Sequence, residues 1–154
     1  SAWLTPGQVR LVPQHHWPGR PGRMQLGQAS TQVRVFGGSG GRRELAAAEV
    51  LLLEGLGFLE AAEVLAHEAF HVYSAARGLG LTPLQEEGTA NLWSYLLLAV
   101  HPGSSVVEQM RLRMLRDPDA VYGDGFRQAR QRYKQARGFA DYLHRMRASG
   151  LAVA

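Results

Sequence analysis

Cysteine is absent from the chain. That excludes disulfides, cysteine-based zinc sites and a cysteine nucleophile. Any metal would have to be held by histidine, aspartate or glutamate. Lysine is nearly absent as well: Lys134 stands alone beside sixteen arginines, and the net charge is +4. The basic excess lies mostly between Arg111 and Arg147. A basic surface can meet nucleic acid or an acidic partner, but no nucleic-acid motif accompanies this one, so a solvated helix face is expected and nucleic acid is not an expected partner. No apolar run is long enough to cross a bilayer, and no membrane is expected. Ser1 to Val12 has no charged segment followed by an apolar core; the expected location is cytoplasmic.

What is present suits an ordinary folded domain. The chain has 154 residues, 45% of them hydrophobic, enough for one core without staples. No internal repeat or boundary is visible, so residues 1–154 are expected to form a single domain. Residues 1–23, rich in proline and glycine, read as irregular, with a short strand at Gln8 to Val12. The loop "QHHWPGR" carries His15 and His16, which read as surface histidines. From 24 to 57 a small sheet is expected. Met24, Leu26, Val33 and Val35 alternate with polar residues, which predicts two strands joined near Gln28 to Thr31. "GGSGGRR", 37–43, reads as a flexible connection; it lacks the Lys-Ser/Thr ending of a phosphate loop. "EVLLLEGLG", 49–57, reads as a strand, with Ala46 to Ala48 equally able to belong to a preceding helix.

Helical patterns follow. One runs from Phe58 to Ala76 and stops at Gly78 and Gly80; a second runs from Leu84 to Val100. A third covers Ser105 to Arg116, capped by Ser104 or Ser105. "VYGDGFR" reads as a glycine-flanked loop. Phe126 to Arg147 reads as one or two helices interrupted at Gly138.

The first helix contains "LAHEAFHVY". His67 and His71 are four residues apart, so they share one helix face, one turn apart. That spacing lets two imidazole nitrogens meet one tetrahedral zinc. Glu68 sits beside the first ligand, where its carboxylate can act as general base without coordinating the metal. The bland alternative is two histidines satisfied by hydrogen bonds. It leaves three titratable groups clustered among Val64, Leu65, Ala66, Ala69, Phe70 and Val72, which is costly without a compensating partner. A catalytic zinc also wants a third protein ligand and an open position. Glu86 and Glu87 open the next helix after a two-glycine turn, and either one could supply it. Acidic capping of the helix N-terminus is their ordinary reading.

HExxH followed by a helix reading Glu-Gly-x-Ala resembles the gluzincin peptidases. The resemblance implies that Glu87 is the third ligand, with Gly88 and Ala90 matching the motif. Asn91, one turn on, could orient a ligating histidine, and Glu86 could support the site from behind. A wider set, "VLLLEGLG", "VLAHEAFH", "EEG", "YGDGFR" and "LHRMRASG" in that order, spans roughly 45–151. It resembles the peptidase domain of the plant LIM-domain, ubiquitin-activated peptidases that restrict organ growth, and of their bacterial relatives. The resemblance implies one Zn²⁺, a protein or peptide substrate and regulation linked to ubiquitin. This chain has neither the cysteines of LIM modules nor room for ubiquitin-interacting helices, so it implies a stripped catalytic domain.

Together these features predict an α+β, minimal zincin-like domain. A small N-terminal antiparallel sheet would pack on the HExxH helix (58–100 holding both active-site helices), and 101–154 would form a helical C-terminal part. His67, His71 and Glu87 would bind zinc. Glu68 would be the general base for a metal-activated water. Tyr122, in its loop, would donate to the oxyanion, with Tyr95 and His101 in reserve. Arg127 could pair with Asp124, Asp119 or a substrate carboxylate. By fold analogy the strand before the HExxH helix would be an edge that receives extended substrate. The expected activity is zinc-dependent endopeptidase hydrolysis. The rival readings are a catalytically inactive or structural zinc-binding interaction module, and a DNA-associated protease of the SprT type. That type takes a histidine as third ligand, and none falls in the second helix before His101.

Overall fold

A computed structural model describes residues 6–17, 25–37 and 42–151. The expectations for Met24, for the remainder of 1–23 and for the centre of the glycine-rich connection at 38–41 fall outside these residues. The structure is α+β and divides into two compact units, 1–78 and 79–154.

The first unit holds three strands and one long helix. They are β1 (Val9–Val12), β2 (Gly27–Phe36), β3 (Arg42–Leu53) and α1 (Phe58–Arg77). Short 3-10 turns cover Pro6–Gln8 and Gln14–His16. The strand order is β1-β3-β2, with β1 parallel and β2 antiparallel to β3. The sheet is therefore mixed, not antiparallel as expected. The reason is topological: β2 and β3 run in opposite senses, so a strand that runs against β2 must run with β3 when it joins β3's other edge.

Two strand expectations need correction. Gln28 to Thr31 do not turn; they lie within the continuous strand β2, paired from Gly27↔Leu52 to Phe36↔Arg42. Gln28, Ser30 and Thr31 carry residue types that also suit turns, while Ala29 packs against the core. Likewise β3 begins at Arg42, so Ala46 to Ala48 are strand, not helix. A register shift at Gln32/Val33 leaves Ala46 as the extra residue on β3. That bulge lets both Leu45 and Ala48 face the core, a spacing that breaks strict alternation.

Beyond the bulge the alternation is regular. Ala48, Val50 and Leu52 are buried with Val72 of α1, and Val9, Ala29, Leu45, Val64 and Leu65 pack against them. Fully burying one such aliphatic side chain contributes about 1.5–3 kcal/mol. This seam fixes which face of α1 meets the sheet. The helix ends at Gly78, whose left-handed backbone (φ 57°) closes the last turn on the Ala75 and Ser74 carbonyls. Arg43 reaches this end and donates to the Ala75 carbonyl at 3.4 Å.

The second unit is helical: α2 (Pro83–Leu98), α3 (Ser105–Arg116), α4 (Tyr122–Lys134) and α5 (Phe139–Leu151). Ser104 caps α3 through the Val107 amide, as its sequence position suggested. Gly138, at φ 134°, separates α4 from α5. The core gathers Leu92, Leu98, Val107, Phe126, Tyr142 and Met146. No helix among the described residues is long and apolar enough to cross a membrane.

"VYGDGFR" is not a loop. Tyr122 is the first residue of α4, and the Asp119 carboxylate receives the Val121 and Tyr122 amides at 2.8 and 2.9 Å. Its glycines serve close packing. A Cβ at Gly125 would stand 2.6 Å from the Leu84 carbonyl oxygen and 3.3 Å from the Gly88 Cα, and one at Gly88 would overlap the Gly125 carbonyl. Helices α2 and α4 thus meet backbone to backbone. Arg127 pairs with Asp124 and donates to the Leu115 and Asp117 carbonyls at 3.3 and 2.7 Å, closing the C-terminal end of α3.

Candidate metal centre

Helix α1 carries His67, Glu68 and His71 over the sheet of the first unit. Both histidines are half-buried, and Glu68 is 8% exposed. The one-turn spacing brings the rings together as expected. Their Nε2 atoms stand 3.1 Å apart, with ring centroids at 4.9 Å and planes crossed at 71°. Two nitrogens bound at zinc distances to one tetrahedral ion would stand about 3.3 Å apart. The observed separation therefore fits a shared cation. It also suits a direct imidazole–imidazole hydrogen bond, in which one ring donates and the other accepts.

One donor atom each from His67, His71 and Glu87 lie within 4.8 Å of one another, the one such group among the described residues. All three residues are half-buried. Two imidazoles and one carboxylate form a donor set that suits zinc and other first-row divalent ions, and three protein donors leave further coordination positions open.

The N-terminus of α2 clarifies its two glutamates. Thr82 accepts the Gln85 amide at 3.3 Å, and the Gln85 side chain accepts the Thr82 amide at 3.0 Å. That capping box, with Pro83 at the first helical position, already satisfies the helix start. Glu86 lies in the first turn and is half-buried.

Other expected residues fall as follows. The Asn91 side chain donates to the Tyr122 carbonyl at 3.2 Å, tying α2 to the start of α4. Tyr122 is half-buried at that start. Tyr95 is core: its ring lies 5.2 Å from that of Phe126, and its hydroxyl accepts from Arg111 at 2.9 Å. His101, His15 and His16 are exposed. The strand before α1 is the central strand of the sheet, paired on both sides over Val50 to Leu52. The edge expected there belongs to β2 instead, because β1 occupies the other side of β3.

Sequence reasoning missed Gly27. It opens β2 and lies directly against Glu68. The only signal was a glycine inside a strand pattern, which marks close approach of another group. It also missed Thr89 and Tyr142. The Thr89 hydroxyl donates to the Gln85 carbonyl at 2.6 Å and meets the Tyr142 hydroxyl at 2.7 Å, both groups being fully buried. Burial pushes the Tyr142 phenol above its usual range, and the Thr89 hydrogen bond partly opposes that.

The chain matches no protein-family profile, no curated protein and no solved structure. Functional inference therefore begins from these side chains.

Proposed function

We propose that the protein is a zinc-dependent endopeptidase of the HExxH-plus-glutamate type, acting on protein or peptide substrates. The observation that carries this reading is the His67–His71 pair, its Nε2 atoms 3.1 Å apart, with Glu87 supplying the third donor of the group. Zinc held there would supply a Lewis acid that polarises a scissile carbonyl and makes water a competent nucleophile near neutral pH. Glu68 accepts the proton of the attacking water and passes it to the leaving amine. The Tyr122 phenol donates to the oxyanion in this reading. Asn91 donates to the Tyr122 carbonyl at 3.2 Å and so helps to place that residue. Substrate would lie extended along β2, whose first residue touches Glu68, and gain main-chain hydrogen bonds there.

Burial of Glu68 between a helix and a sheet supports a working carboxylate over a decorative one, since a purely structural zinc site has no use for a base beside it. The resemblance to the ubiquitin-activated plant peptidases agrees with this chemistry, and ubiquitin is the regulator it suggests.

Elemental analysis of tag-free protein, before and after dialysis against Zn²⁺, tests the reading. About one zinc per chain is expected, lost in His67→Ala and weakened far more by Glu87→Ala than by Glu86→Ala. A wild-type protein that takes up no zinc would return the histidine pair to a hydrogen bond and remove the peptidase reading.

A further inference from the structure

Glycine at position 27 is not required by the backbone. Its φ is not positive, so no turn or left-handed conformation demands it. What glycine provides is space. A Cβ there would stand 2.8 Å from Glu68 Cγ and 3.0 Å from Glu68 Oε1, and would overlap a Val64 methyl. Neither side can easily retreat. Gly27 is buried and paired with Leu52, and the neighbouring Leu26 carbonyl receives the Leu53 amide at 2.9 Å. Helix α1 is anchored to the same sheet through Val64, Leu65 and Val72.

We propose that Gly27 is a positioning residue for the Glu68 carboxylate, resting on the reading above that makes Glu68 the general base. The bare Cα forms a seat at the start of β2, and the carboxylate lies in it. A methyl group at that place displaces the base. The atoms nearest to it belong to Glu68 and Val64, so the two histidine ligands keep their positions.

The test compares wild type with Gly27→Ala, Glu68→Ala, the pair combined, and Gly27→Ala with Val64→Ala. Zinc per chain is read by equilibrium dialysis against Zn²⁺, stability by melting in chelator, and hydrolysis on casein. Gly27→Ala is expected to keep the wild-type zinc content and KM while kcat falls about 10²-fold, the scale of a misplaced reacting group. Its melting penalty should shrink when Glu68 is truncated to alanine, because the Glu68 part of the overlap then disappears and only the Val64 part remains. If Gly27→Ala folds poorly, the added Val64→Ala removes the methyl overlap, leaves the Glu68 one, and should still show the kcat loss. Wild-type kcat in a zinc-loaded Gly27→Ala protein overturns the proposal, as does an additive stability cycle. Absence of zinc from the wild type sinks the peptidase reading instead, and the cycle still decides whether Gly27 seats Glu68.

Discussion

In residues 1–78 a carboxylate is buried against a sheet, beside two imidazoles that face one point. In residues 79–154 the buried side-chain hydroxyls of Thr89 and Tyr142 bond to one another and to the Gln85 carbonyl. Both arrangements sit in apolar surroundings, yet their chemistry differs. The neutral pair is satisfied locally, within its own unit, and asks for nothing further. The cluster on α1 gathers titratable groups, with Glu68 buried and both imidazoles half-buried. Buried polarity thus gathers titratable groups in one unit and neutral hydroxyls in the other. Glycine separates them in the same way. Gly27 makes room for the Glu68 side chain, whereas Gly88 and Gly125 make room for backbone.

The comparison can be broken most sharply at Glu68. Glu68→Gln should keep about one zinc per chain and lower casein hydrolysis by at least about 10²-fold, since it removes a general base and no ligand. Retained hydrolysis would place Glu68 with the architectural groups.

Gly125→Ala probes the opposite unit. In an unobstructed helix, glycine to alanine would stabilise by roughly 1 kcal/mol. Here the new methyl meets the Leu84 carbonyl and the Gly88 Cα, backbone atoms that cannot rotate away. Overpacking of this kind costs about 1–3 kcal/mol, so net destabilisation is expected in a denaturant titration. A more stable variant would show that α2 and α4 can separate freely.

The smallest effect is expected at Tyr142. Tyr142→Phe removes one hydroxyl, while Thr89 still donates to Gln85; the cost should be about 1 kcal/mol. The pH dependence has a definite sign. The folded phenol titrates above its ordinary value of 10.0, because burial disfavours the phenolate. The resulting stabilisation is complete below that value and is lost as pH rises through the folded one. Melting midpoints followed from neutral to alkaline pH should fall less steeply in Tyr142→Phe than in wild type.

Much of this was legible in the chain. The α1 periodicity and its glycine stop, the capped start of α3 and the break at Gly138 are local patterns, and the structure follows them. The strand region was read poorly. Gln28 to Thr31 resemble a turn because Gln28, Ser30 and Thr31 carry residue types that also suit turns, and the bulge opposite Gln32 and Val33 hides the alternation of β3. "VYGDGFR" resembles a loop because two glycines ordinarily punctuate one, whereas here they serve a helix crossing.

By itself the sequence determined the pairing of His67 with His71 and the place of Glu68 beside them, because helix geometry alone puts residues four apart on one face. It also excluded every thiol from the chemistry. Tertiary structure alone decided that β1 joins β3 in parallel and that Gly27 meets Glu68. These depend on contacts between segments distant in the chain. No local spacing encodes them, since they are selected by how whole faces bury against one another.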